Sequence, residues 1–177
     1  MRDVLERVAD GDLSVSEAEA ALAGYATTAA GRFDAARETR RGVPEAVLAE
    51  GKTPQEVGSL AATAVETTGR ALVTRASEAH REGVVDALER EHPDAEVTVD
   101  ERADVLVAHA AGFERPAVDA SVALVSGGTS DAAVLGEARA IVREMGADVE
   151  TVEDVGVASI ARLLDQVEAL RAYDVVV

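Results

Sequence analysis

The spacing of apolar positions changes along this chain, and the changes divide it. Over residues 1–70 they recur at helical intervals. Val4, Leu5 and Val8 share one face before a break at Asp10-Gly11. Ser14 and Ser16 are candidate N-caps for a helix over residues 17–24. Pro44 suits the first turn of a short helix reaching residue 50, and Thr53-Pro54 caps and opens another through about residue 68. From residue 71 the pattern becomes strand-like. Residues 71–74 (ALVT) predict a strand, Ser77 caps a helix running to about residue 90, and residues 95–99 and 104–108 predict two more strands. Residues 111–118 hold Gly and Pro without periodicity and read as a linker.

After the linker the alternation is regular. Residues 122–125 predict a strand and residues 131–145 a helix, with Val134, Leu135, Ala138, Ile141 and Val142 on its apolar face and Gly146 as its stop. A strand over 149–152, a helix over 159–170 and a strand over 173–177 follow. This β-α-β-α-β series predicts an α/β fold of the doubly wound type, a parallel sheet preceded by a helical segment with a small βα unit. The expected division is residues 1–110, a linker over 111–118, and residues 119–177. Parallel sheets are covered on both faces. A chain closing on a hydrophobic strand is therefore expected to be the N-terminal part of a longer, here truncated, sheet.

The chemistry concentrates at one junction. The segment SGGTSD, residues 126–131, follows a strand and precedes a helix, which is where open parallel sheets bind ligands. Gly127 and Gly128 permit a sharp turn and close backbone approach. Ser130 or Asp131 can cap the helix, whose free N–H groups favour an anion. The segment is neither a P-loop nor a GxGxxG fingerprint, and a capped turn without ligand has the same pattern. A second junction, VEDVGVASIAR over residues 152–162, again sets an acid and a glycine between strand and helix. Asp154 and Asp131 would then face one crevice; as turn and cap residues, Asp154 and Ser159 need no ligand.

Charge changes this picture. The 177 residues carry 34 acidic and 17 basic side chains, a net charge of −17, with Lys52 the lone lysine. Such a surface disfavours nucleic acid and anionic membranes as partners. It suggests a halophile's cytoplasm, where salt near 1 M shortens the screening length to roughly 3 Å. The N-terminus is charged from residue 2 and no run of 18 apolar residues exists, so a cytoplasmic location without membrane span is expected. Without cysteine there is no disulfide or thiolate chemistry. Against this acidity the cations of RFDAARETRRGVPEAVLAEGKT, residues 32–53, stand out. Arg37 and Arg40 share a helical face, with Arg41 and Lys52 nearby, and Asp34 and Glu45 can orient the arginines or hold Mg²⁺. A solvated basic face is the plainer reading of such a cluster.

Together these motifs carry a family resemblance. SGGTSDAAVLGEA followed by DVGVASIARLL resembles the PurE-type carboxylase/mutase (flavodoxin-like) fold. RFDAARETRRGVPEAVLAEGKTPQEV resembles the signature of its LarB branch, the pyridinium-3,5-biscarboxylic acid mononucleotide synthases, and ordinary PurE chains lack it. The motifs span residues 30–177. The resemblance implies an enzyme of nickel-pincer cofactor synthesis that carboxylates the pyridinium ring of nicotinic acid adenine dinucleotide and hydrolyses its phosphoanhydride, releasing AMP. It implies CO₂ or bicarbonate as co-substrate, Mg²⁺ as cofactor, and a PurE-like homo-oligomer such as an octamer. Ser130, Asp131 and Asp154 become candidate catalytic residues, and Gly127, Gly128, Thr129, Gly156, Arg162, Arg37, Arg40 and Lys52 candidate substrate contacts. Asp34 and Glu45 become candidate Mg²⁺ ligands. Ala161 stands where the family commonly has histidine, and the family's reactive cysteine has no counterpart here. The alternatives are a PurE-type aminoimidazole ribonucleotide carboxylase and a non-catalytic nucleotide-binding module. His80 and His92 are expected to be exposed and His109 structural, and the few aromatic residues form no stacking platform.

Overall fold

The computed structural model describes residues 2–11, 18, 22, 24–28 and 30–177. The proposed caps Ser14 and Ser16 and most of the helix over 17–24 lie outside the described residues, although 18 and 22 are helical. Helix α1 spans Arg2–Ala9. A hairpin then pairs β1 (Ala26–Thr28) antiparallel with β2 (Gly31–Phe33). The Thr28 hydroxyl accepts from the N–H of Ala30 at 3.1 Å and donates to the carbonyl of Gly31 at 3.0 Å, closing the turn. Helix α2 (Arg37–Arg41) ends at Gly42 in the left-handed conformation, φ 73°.

The first 70 residues are therefore not all helical. The helix expected from Pro44 to residue 50 is also replaced: Val47–Leu48 form β3, which pairs parallel with β4 (Arg70–Thr74). Val47 and Ala49 are buried against the sheet, and the Ala49 N–H donates to Thr74. Long-range pairing and burial override the local helical signal.

The caps of the next two helices were readable locally. Thr53 accepts from the Glu56 N–H while the Glu56 carboxylate accepts from the Thr53 N–H, a reciprocal box opening α3 (Pro54–Thr68). Ser77 and His80 do the same for α4 (Glu78–Glu91). His80 and His92 are half-buried rather than exposed. Their Nε2 atoms lie 2.8 Å from the Lys52 carbonyl and 3.1 Å from the Ala62 carbonyl, so each ring ties a helix end to α3 or the loop before it.

Strands β5 (Glu96–Asp100) and β6 (Val105–His109) complete a mixed sheet of order β3-β4-β6-β5, with β4-β6 and β6-β5 antiparallel. Alternation along β4 and β6 sends side chains to opposite faces. Val73, Leu106 and Ala108 pack with Val57, Leu60, Val65, Val84 and Leu88 of α3 and α4. Leu72 and Val105 face the other way.

A second sheet follows: β7 (Ser121–Val125), α5 (Ala132–Glu144), β8 (Asp148–Val152), α6 (Ile160–Leu170) and β9 (Val175–Val176). Its order is β8-β7-β9, all parallel, consistent with the opening strands of a flavodoxin-like sheet. Helix α5 lies between the two sheets. Its Ala140 and Ile141 pack on Leu72, Ala103 and Val105, while Leu135, Ala138 and Val142 pack on Val122, Leu124 and Val149. Gly136 makes the first contact possible, since a Cβ there would overlap Ala103. Gly146, φ 88°, ends the helix, and the Ala147 N–H returns to Val142 at 3.3 Å.

Candidate functional site

The two predicted junctions meet. Strands β7 and β8 are parallel neighbours, so their carboxyl ends emerge side by side. The Gly156 N–H donates to the Gly127 carbonyl at 2.9 Å, and the Val155 N–H donates to Ser126 at 3.1 Å. The glycine demanded by this closure is Gly156: a Cβ there would run into the Gly127 carbonyl. Gly127 and Gly128 are not among the positive-φ glycines, and Gly128 is extended with φ −153°. The sharp turn therefore does not require them. A Cβ on either would meet its nearest neighbours at 3.7–3.8 Å, an ordinary van der Waals contact, so neither position requires glycine for lack of room.

Residues Thr129–Asp131 form a 3₁₀ turn feeding α5. The first N–H groups of such a turn have no intrahelical acceptor, which leaves Thr129 and Ser130 as donors. Asp131 makes no side-chain cap on α5; its carboxylate accepts from the Gly128 N–H at 2.9 Å and braces the loop. Ser130 Oγ lies 3.4 Å from that carboxylate. Beneath them the Ser126 hydroxyl is buried without a hydrogen-bond partner, a cost in an interior that normally satisfies its polar groups.

Across the crevice Asp154 adopts φ 61°, a conformation that non-glycine residues rarely hold. Arg162 secures it, with Nη1 at 2.7 Å from the Asp154 carboxylate and 3.3 Å from its carbonyl. Strain at a strand end beside a glycine junction is a frequent mark of binding loops. Arg75 and Asp104 also have positive φ, both 52°, at turns of the first sheet, so the signal gains meaning only from its location.

The N-terminal cations are arranged differently. Arg40 pairs with Asp34 at 2.5 Å and Arg37 with Glu45 at 3.4 Å. Glu45 has its pKa raised by burial, an effect that Arg37 partly opposes. These carboxylates orient the arginines. Each faces a guanidinium, and among the described residues neither belongs to a group of three or more His, Asp or Glu placed to hold a metal. Lys52 Nζ donates to the Leu48 carbonyl at 2.7 Å.

One ion pair locates the arginine block relative to the glycine junction. Glu38, between Arg37 and Arg40, pairs with Arg70 at 2.6 Å, and Arg70 Nη1 lies 3.3 Å from the Glu144 carboxylate and also donates to the Glu144 carbonyl. Glu144 ends α5 while Asp131 precedes it. At 1.5 Å per residue, the 13-residue helix separates them by about 20 Å. The glycine junctions are together; Arg37 and Arg40 sit at the opposite end of α5 in the same chain.

The Arg70 cluster was missed by sequence reasoning. Arg70 and Glu144 are almost wholly buried. His109 Nε2 lies 3.0 Å from the Glu144 carboxylate and its ring stacks on Phe113 at 4.9 Å, with the Arg70 guanidinium 5.4 Å from that ring's centroid. An arginine opening an otherwise apolar strand was the one local signal. No helix of the described residues is long and apolar enough to cross a membrane.

Over its whole length the chain is similar to an uncharacterized protein of Methanocaldococcus jannaschii, 29% identical over 99% of this chain and 69% of that protein. Residues 25–110, from the hairpin through the first sheet, match the family model of the LarB/PurE-like N-terminal domain.

Proposed function

We propose that this chain is part of a LarB-type carboxylase acting on a pyridinium dinucleotide. The observation that carries the reading is the joined pair of junctions, Gly127 to Gly156, beside a match to the LarB/PurE-like N-terminal domain. In this reading the substrate is nicotinic acid adenine dinucleotide, carboxylated with CO₂ or bicarbonate while its phosphoanhydride is hydrolysed and AMP released.

This chain's residues would bind and orient. A phosphate would sit over Gly127 and Gly128, where no Cβ intrudes, and accept from the N–H groups of Thr129 and Ser130 at the start of the turn. Asp131 holds that loop in shape through Gly128. Arg162, with donors beyond those engaged by Asp154, supplies a planar cation to the same crevice. Asp154, paired with Arg162, adds a carboxylate beside the same junction. Asp34 and Glu45, held by Arg40 and Arg37, are the carboxylates that would serve a Mg²⁺ in this reading. The arginine block, about 20 Å away along α5, enters the site only from a second copy. A homo-oligomer is thus part of this proposal.

Calorimetric titration tests it. Nicotinic acid adenine dinucleotide offers two phosphates where aminoimidazole ribonucleotide offers one, and each charge-assisted hydrogen bond contributes roughly 1.5–3 kcal/mol. The dinucleotide is expected to bind at least tenfold more tightly, and Arg162→Gln to weaken it about tenfold. Tighter binding of the ribonucleotide would move the protein to purine synthesis; binding of neither would remove the nucleotide reading.

A further inference from the structure

We infer a second anion site, for a phosphate group, in the cleft between the first sheet and helix α5. It is separate from the glycine junctions. The cleft is about 180 Å³ and is floored by Thr98, Val105 and Val107 of β5 and β6. Its walls carry three guanidiniums, Arg139 and Arg143 one helical turn apart on α5 and Arg115 from the loop after β6. His109 also lines it.

Three of the protein's few cations converge here although the chain bears −17 overall. The carboxylates of the lining do not neutralise them all. Asp100 is engaged by Arg139 and by the Ala103 N–H, and Glu144 by Arg70 and His109. Arg115 has only a distant approach to Glu144, 3.9 Å. The Arg143 side chain makes no hydrogen bond or ion pair among the described residues, while its backbone carbonyl accepts from the Gly146 N–H at 3.0 Å. Glu96, opposite His109 in the strand register, lies on the exposed edge strand and does not line the cleft.

Arg115, Arg139 and Arg143 thus line one small space with donors beyond these pairs, Arg115 and Arg143 being also open to solvent. Planar guanidiniums arriving from two elements suit a tetrahedral dianion, which offers several oxygens, better than a carboxylate, which offers two. The volume is below the roughly 300–1,000 Å³ of pockets that enclose whole small molecules. It admits a phosphate group and leaves any attached nucleoside outside. A bound phosphate would bridge the first sheet to α5, the helix whose other side packs on the second sheet.

The experiment is titration of the intact chain with inorganic phosphate and, separately, with AMP, at constant ionic strength in KCl. Wild type should bind inorganic phosphate saturably and melt at a higher temperature with it. The double variant Arg115→Gln/Arg143→Gln should weaken that binding about tenfold or more, with unchanged circular dichroism. Arg162→Gln, which alters the glycine junction, should leave phosphate binding here intact, so the two sites fail separately. AMP binding with the same dependence on Arg115 and Arg143 identifies a nucleotide as the phosphate's source; inorganic phosphate binding alone identifies the free ion. No saturable binding in wild type, or binding lost in Arg162→Gln and retained in the double variant, would overturn the site.

Discussion

Replacing Arg70 with methionine removes the charge that balances Glu144 in the interior. Both side chains are 3% exposed, with 3.3 Å between Nη1 and the carboxylate. The variant leaves a buried carboxylate whose remaining partners are His109 at 3.0 Å and Arg115 at 3.9 Å. Breaking one side of a buried pair costs about 3–5 kcal/mol, which for a chain of this size lowers Tm by roughly 10 °C. Glu144→Gln should cost less. Arg70 then keeps Glu38 at 2.6 Å and the Glu144 carbonyl, and Glu38 is itself half-exposed. The double variant Arg70→Met/Glu144→Met should recover at least half of the single variant's loss. The native pair has already lost its hydration, and Arg70 Nε is buried without a partner. Urea unfolding followed by circular dichroism, at 0.1 M and 1 M KCl, measures all three. The cost of Arg70→Met should change little with salt, because a buried pair is screened weakly. A cost under about 1 kcal/mol, or a double variant as unstable as Arg70→Met, would refute the claim that desolvated charge dominates this cluster.

Two further outcomes follow from the second sheet. Gly156→Ala should destabilise by about 1–3 kcal/mol, since its Cβ collides with the Gly127 carbonyl, whereas Gly128→Ala, in extended backbone where a Cβ meets only ordinary contacts, should change the urea midpoint little; equal losses would contradict the placement of the close approach. Asp174 accepts from the Ser121 N–H and hydroxyl, both at 2.8 Å, and the backbone bond foremost holds its pKa below the usual value. A depressed pKa stabilises above the unfolded value, about 3.9, and that contribution is lost as pH falls through the lower folded value. Asp174→Asn should therefore be less stable than wild type at pH 7, with the gap narrowing below about pH 4; a gap constant from pH 7 to pH 3 would contradict it.

Local rules were enough for the elements whose signals are local. Thr53 with Glu56 and Ser77 with the His80 N–H are sequence neighbours on a first helical turn, so their caps follow from spacing. The same holds for Gly146 ending α5 and for strand-turn-helix at SGGTSD, where backbone chemistry three or four residues apart decides the outcome. The parallel pairing of β7 with β8 also followed, because a helical crossover between two strands leaves them running the same way. Tertiary structure decided what depends on distant partners. Val47–Leu48 became a strand only because β4 offered its edge. Gly156 rather than Gly127 or Gly128 bears the steric demand because two loops 29 residues apart touch there. The Arg70–Glu144 pair joins residues separated by 74 positions, a contact for which no periodicity exists to be read. Helix α5 set the remaining distances. Packed on both sheets, it holds SGGTSD at one end and the arginine block at the other, a separation fixed by helical rise and invisible to the order of motifs along the chain.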